Sequence, residues 1–228
     1  METKQQIVSR QRTRDHGEVY TAAREVNSML DLVKSETERI DSRFLEPACG
    51  NGNFLAQVLK RKLAIVADRY SKSQIEFDRY AVLAVSSIYG IDILSDNVES
   101  CKERLFSVFS DFYQKTYQTD APAECAASVK YILGKNIVWG DALTFCRVDK
   151  PDDFIVFSEW SPVNGSMMKR RDFKFTHLVN ANPFADAGLF PEMAEKNHFS
   201  DLGEEVFIPK PIKEHDLTHY LRLTDVQD

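Results

Sequence analysis

A chain of 228 residues, 43% hydrophobic and 28% charged, has the composition of one compact domain with enough apolar side chains to build a real core. No run approaches the roughly 18 consecutive apolar residues of a membrane span, and the polar, basic opening segment lacks the apolar stretch of a secretory signal; the expectation is a soluble, cytoplasmic protein without a membrane partner. A net charge of −6 excludes a uniformly basic coat for nucleic acid and leaves only local positive patches, while Cys49, Cys101, Cys125 and Cys146 contain no C-x-x-C pair and exclude a zinc ribbon or a disulfide framework.

In chain order, Val26, Met29, Leu30, Val33, Thr37 and Ile40 recur at spacings of three and four, which predicts one amphipathic helix over 22–40. The run at 43–46 reads as a short strand, bounded by Pro47 and the turn Gly50-Asn51-Gly52. Phe54, Leu55, Val58, Leu59 and Leu63 then return to helical spacing. A helix is expected over 73–87, a buried strand over 88–93, and a helix capped by Ser95 or Asp96 that carries Val98, Cys101, Leu105, Val108, Phe109 and Phe112. Pro122 suits the first turn of a further helix reaching Leu133, and strands follow at 136–139 and 154–157. Strand and helix thus alternate in the manner of an open, doubly wound α/β fold with a mostly parallel sheet. Beyond Asn164 the pattern weakens into a basic run and scattered Pro and Gly, which reads as an irregular C-terminal tail.

Ligands of such sheets sit beyond the carboxyl ends of the strands. At the first of these ends, Gly50 and Gly52 permit a sharp turn and a close approach, and Glu46 stands beside the opening. The third small residue of a nicotinamide fingerprint is replaced by Leu55, and no G-K-[ST] follows to make a phosphate loop. Taken alone, a glycine turn joining strand to helix explains the pair as well as a ligand does, and Asp92 and Asp141 taken singly read as caps or turn residues.

The segment Leu45-Glu46-Pro47-Ala48-Cys49-Gly50-Asn51-Gly52-Asn53-Phe54-Leu55 resembles, almost residue for residue, the first motif of S-adenosylmethionine-dependent DNA methyltransferases of the adenine-N6 type. Gly17-Glu18-Val19-Tyr20-Thr21 is similar to that family's N-terminal motif, with Ala22 in place of proline; Gly90-Ile91-Asp92-Ile93 resembles its second motif, and Trp139-Gly140-Asp141-Ala142-Leu143 its third. The resemblance covers 17–143 and implies a Rossmann-like methyltransferase domain over 1–163, including an N-terminal helical segment, with 164–228 as an irregular extension packed on the same domain. It also implies S-adenosylmethionine as cofactor. Tyr20 and Thr21 would lie around its methionine end, Glu46, Pro47, Ala48, Gly50, Asn51 and Gly52 around its middle, Asp92 on ribose and Asp141 near adenine, with Phe54, Ile93 and Ala142 beside them. The chemistry suits these types: adjacent ribose hydroxyls are donors for a carboxylate, and an adenine amino group needs an acceptor.

Methylation of an exocyclic amine in this family uses an acceptor side chain followed by two prolines and an aromatic ring that stacks on a flipped base. The chain contains no such intact tetrapeptide. The first stand-in is Ser158, Glu159 and Trp160, directly after the fourth expected strand; the second is Asn182, Pro183 and Phe184, nearer in composition but farther along the chain. Topology favours the first. Arg10, Arg12 and Arg14 at the start, and Lys169, Arg170 and Arg171 later, are candidate contacts to DNA phosphates, although short charge runs also read as solvated faces. The histidines show no metal-binding pattern. The resemblance implies double-stranded DNA as partner; because the residues after the sheet are too few for a recognition domain, either a separate specificity or restriction subunit reads the DNA, or short loops around Lys169 and Asn182 do, or the chain has no DNA target.

Overall fold

The computed structural model describes residues 21–179, 198–199, 205–206 and 209–226. The fold is mixed α/β. Its first helix, α1 (Ala23–Leu32), ends where Val33 leaves helical geometry at φ −119° and ψ 35°, and a single turn, α2 (Lys34–Thr37), follows. The continuous helix expected over 22–40 is therefore two pieces: Val33 is β-branched and 41% exposed, so little packing holds it in a helix. Strand β1 (Phe44–Glu46), α3 (Asn53–Tyr70), α4 (Gln74–Ser86), β2 (Ile88–Asp92), α5 (Ser95–Tyr117), α6 (Ala123–Asn136) and β3 (Ile137–Asp141) come next. The Ser73 side chain accepts the Glu76 N–H and starts α4, whereas Leu94 occupies the N-cap position of α5 without a side-chain cap bond, and neither Ser95 nor Asp96 caps that helix.

Strands β1, β2 and β3 lie side by side in sequence order and parallel, and a short β4 (Cys146–Arg147) joins the outer edge of β3 antiparallel. Alternation along the strands divides two cores. Ile88 and Ile137 belong to the larger one, with Leu55, Leu59, Val82, Leu105 and Ile132 from the helices. Tyr89, Ile91 and Val138 face a smaller one, closed by Ile155, Phe157 and Phe175. Gly140 makes that second contact possible, because a Cβ there would stand 2.5 Å from Ile155 Cδ1.

The chain after β4 corrects two expectations. The strand read at 154–157 as the next member of the parallel sheet belongs to β5 (Val156–Val163), which pairs antiparallel with β6 (Met167–Lys174) in a separate sheet. The turn between them uses Asn164 at φ 40° and Gly165 at φ 70°, a pair suited to hairpins because both tolerate the left-handed region. The tail is therefore not irregular at its start, and a division at 163/164 falls in the hairpin turn. The second core is covered by this hairpin, its preceding residue and the one-turn helix α7 (Phe175–Val179), not by a second layer of long helices. Two-residue strands β7 (His198–Phe199) and β8 (Glu205–Val206) pair with each other. Strands β9 (Lys213–Glu214) and β10 (Thr218–His219) pair with β6, and Tyr220 and Leu223 enter the larger core. Among the described residues no helix is long and apolar enough to cross a membrane.

One buried cation ties the elements that precede the first strand to the sheet. Lys62 on α3 is fully buried, and its Nζ donates to the carbonyls of Arg39 (3.2 Å), Ile40 (3.1 Å) and Ser42 and to Ser87 Oγ (2.8 Å). Burial pushes its ammonium down to about 7. Above that pH the unfolded chain keeps a proton that the folded chain has released, so stability rises with pH, by about 1.4 kcal/mol per unit for one proton. The hydrogen bond with Cys101 together with burial holds the Cys49 thiol, and burial the Cys125 thiol, above the ordinary range, which reverses the trend once free thiols ionise, near pH ~8.5. We expect Lys62→Met to flatten the rise between pH 7 and about 8.5. Urea titrations across that window check it, and equal slopes in both proteins would refute the assignment.

Candidate functional site

The parallel register sets Glu46 opposite Gly90 and Asp92 opposite Trp139, so Glu46, Asp92 and Asp141 end their strands on one edge of the sheet. This is the edge where ligands of open α/β sheets bind. After β1 the backbone doubles back: Cys49 N–H donates to Ile91 O (2.9 Å), Gly52 N–H to Cys49 O (2.9 Å), and Gly50 and Gly52 adopt φ 52° and 82°. Gly52 also caps α3. A Cβ on Gly52 would lie 2.8 Å from Cys101 Sγ and 3.2 Å from its Cα, so α5 as well as the left-handed φ demands glycine here.

Asp92 is the centre of this arrangement. It is buried, and its Oδ2 accepts the Gly50 N–H (2.8 Å) while Oδ1 accepts the Leu94 N–H (2.9 Å) and Asn97 Nδ2 (3.2 Å). A carboxylate has about four acceptor positions, so one remains for a ligand. A bidentate grip on two ribose hydroxyls by Asp92 is therefore not available in this arrangement. Asp141 differs: Oδ1 accepts the Leu143 N–H (2.8 Å), Oδ2 has no partner among the described residues, and the side chain is half-buried. Directly after the two carboxylates in the chain come Ile93, 50% exposed, and the half-buried Ala142 with Leu143, 89% exposed. Trp139 Nε1 donates to Ile93 O (3.0 Å) and joins the ends of β2 and β3.

The remaining residues of the first turn vary in exposure. Burial raises the Glu46 carboxyl, against a weaker opposing bond from the Ala48 N–H (3.3 Å). Pro47 and Ala48 are exposed, and Phe54 packs on the larger core. Arg104 Nε donates to Asn51 O (2.7 Å), and Asn51 Oδ1 is buried without a partner among the described residues. Thr21 is exposed ahead of α1. Tyr20, Arg10, Arg12, Arg14, Asn182, Pro183 and Phe184 lie outside the described residues.

The other expected residues are corrected by their surroundings. Ser158 is 2% and Trp160 4% exposed. Ser158 Oγ donates to Asp172 Oδ1 (2.7 Å) and accepts Arg170 Nε (3.0 Å), and Trp160 Nε1 donates to Asn136 Oδ1 (3.3 Å) while its ring meets Tyr131 edge-on. Glu159 pairs with Arg43 and with Arg171 (3.0 Å). A base-stacking ring and amine-holding acceptors must be accessible, whereas Ser158 and Trp160 are buried and the half-buried Glu159 is engaged by two arginines. The basic run fails as a phosphate-contact cluster for a related reason: on a strand its members alternate, so Arg170 points inward and is 5% exposed, Lys169 pairs with Glu214 (3.3 Å) and Arg171 with Glu159.

A polar network that the sequence reading missed occupies this interior. Asp172 accepts from Arg170 Nε and Nη2 (both 2.9 Å) and from Ser158, and bonds His215 Nε2 (2.8 Å). Burial alone would raise its carboxyl, but the bonds from Arg170, His215 and Ser158 outweigh burial and hold it below the usual carboxylate range. The available signal was the alternation of Met168, Arg170 and Asp172, buried at every second place of β6.

Comparison with family models, with curated proteins and with solved structures finds no match for this chain.

These contacts make Asp92 and Trp160 structural. Asp92→Ala leaves buried donors unpaired and should destabilise the chain by about 1–3 kcal/mol, while Trp160→Ala opens a core cavity and should cost about 3–5 kcal/mol. Urea denaturation measures both, and losses within about 0.5 kcal/mol would mean that the side chains stand on the surface.

Proposed function

We propose that the chain binds S-adenosylmethionine at the carboxyl edge of its parallel strands and belongs to an S-adenosylmethionine-dependent methyltransferase, with adenine N6 in DNA as the acceptor, in a restriction-modification or related defence system. The observation that carries the reading is the convergence, on one edge, of a glycine turn locked by Asp92, an open acceptor on Asp141 and the exposed apolar surface of Ile93 and Leu143. These residues suit the group. Asp141 Oδ2 would receive the adenine amino group, Ile93, Ala142 and Leu143 would flank its ring, and the remaining acceptor position of Asp92 would take one ribose hydroxyl. At Gly50 the half-buried backbone lets the middle of the cofactor approach without meeting a side chain, while the space a side chain would fill at Gly52 is taken by Cys101. When bound, the cofactor supplies an electrophilic methyl group. The chain's own part is to hold it by one edge and to exclude water with the apolar ledge.

Ser158, Glu159 and Trp160 take no part in transfer under this reading, because their side chains are engaged internally. The same observation favours a second reading, a cofactor-binding subunit that does not itself hold the acceptor amine. Tritium transfer from labelled S-adenosylmethionine to DNA separates the two.

Asp141→Ala tests the cofactor site without disturbing the turn. It should weaken S-adenosylmethionine binding by about 1–3 kcal/mol, as loss of one partly buried polar contact, while the lost bond to the exposed Leu143 N–H lowers stability by about 0.5–1.5 kcal/mol at most. Calorimetry giving equal affinity for both proteins would remove Asp141 from the site.

A further inference from the structure

A cavity of about 170 Å3 lies between α4 and the tip of the β5–β6 hairpin, and no residue of the candidate cofactor site lines it. Leu83, Pro162, Val163, Met167 and Met168 give it apolar walls. Among the described residues that line it, Arg79 alone is charged. Its guanidinium carbon stands 4.6 Å from the centre of the Tyr80 ring, on which Tyr70 stacks with centroids 3.8 Å apart. Nη1 donates to Gly165 O (3.2 Å) and Nη2 to Tyr80 Oη (2.9 Å). Both acceptors are neutral, and these bonds use only part of the guanidinium fork, which keeps further N–H donors for a ligand. Arg43, Arg147, Arg170 and Arg171 each meet a carboxylate, whereas none among the described residues pairs with Arg79. The adjacent Asp78 is buried against Tyr113, and Glu76, one turn earlier on α4, is exposed. An uncompensated cation is thus held in place at the wall of an otherwise apolar cavity.

We propose that this cavity binds an aliphatic monocarboxylate, with the carboxylate on the remaining donors of Arg79 and the chain among Leu83, Met167 and Met168. A guanidinium fork matches the two oxygens of a carboxylate, and such charge-assisted bonds are the strong class of hydrogen bond. One cation balances one negative charge; a phosphate dianion would leave surplus charge against apolar walls, which is costly. The volume falls below the roughly 300–1,000 Å3 of ordinary small-molecule sites and limits the ligand to a short chain. The contacts with Tyr80 and Gly165 already fix the guanidinium, so little side-chain freedom is lost on binding. The site shares no residue with the carboxyl edge of the sheet and stands or falls independently of the cofactor reading. The carboxylate comes either from a free short-chain acid or from the end of a peptide chain.

The test titrates the nitrogen-15-labelled full chain with butyrate, with its neutral counterpart butyramide, and with the peptide acid acetyl-glycyl-valine. Butyrate or the peptide acid should give saturable amide shifts at Tyr80, Gly165, Ser166 and Met167, and butyramide should bind about tenfold or more weakly than butyrate. Arg79→Gln should weaken binding of the acid by about tenfold or more. Met167→Glu keeps Arg79 but sets an internal carboxylate in the cavity, and should block the ligand as well. Arg24→Gln removes an exposed charge on α1 and should leave binding unchanged. Binding of butyrate alone assigns a free acid, and tighter binding of the peptide acid with the same dependence on Arg79 assigns a chain end. The proposal is overturned if neither acid gives saturable shifts in the parent chain, if butyramide binds as tightly as butyrate, or if Arg79→Gln and Arg24→Gln behave alike.

Discussion

A single carboxylate, that of Asp92, holds the candidate site together. Gly50 and Gly52 take positive φ as the chain leaves β1 and enters α3 within six residues, and backbone bonds from Cys49 N–H to Ile91 O and from Gly52 N–H to Cys49 O shape the turn. The bond from Gly50 N–H to Asp92 adds the one side-chain anchor from β2. The same side chain receives Leu94 N–H and Asn97, so the turn after β1, the end of β2 and the start of α5 are fixed by one buried group. A charge at this depth is tolerable because three donors satisfy it. Cys101 packed against Gly52 then brings α5 close to the turn, a contact that only glycine permits.

The remainder of the fold supplies support for that edge. Lys62 ties the approach to β1 to the start of β2 through the carbonyls of Arg39 and Ile40 and the Ser87 hydroxyl. On the opposite face, the β5–β6 hairpin closes the second core with Phe157 and carries a buried network in which Asp172 joins Arg170, Ser158 and His215. Such a network contributes little net stability once desolvation is counted, yet removing any member strands the others. Its effect is to specify how the hairpin sits.

The three parallel strands were legible because each is a short apolar run between breakers, and β2, buried at every position, is the clearest. The helix over 73–87 was legible from its unbroken apolar content, and the structure adds that Ser73 starts it by accepting the Glu76 N–H three residues on. Long-range roles were not. Asp92 reads as an acceptor, but its donor at Gly50 stands 42 residues earlier, so the sequence shows a group free for a ligand where the fold has spent most of its capacity. Lys169-Arg170-Arg171 reads as a candidate phosphate-contact patch, and only strand pairing turns Arg170 inward. The hairpin itself had a signal in Asn164-Gly165, outweighed by the apolar run that resembled another parallel strand. Trp160 was misplaced with it: once its strand leaves the parallel sheet, its ring belongs to the core.

The central claim is that S-adenosylmethionine sits on the carboxyl edge of β1, β2 and β3. Amide chemical-shift mapping of the nitrogen-15-labelled chain during titration with S-adenosylhomocysteine tests it most directly. The account predicts saturable shifts concentrated at Gly50, Gly52, Ile93, Asp141 and Leu143, with Ser158 and Trp160 unmoved. Saturable shifts centred on the hairpin, or none at all in the folded chain, would contradict it.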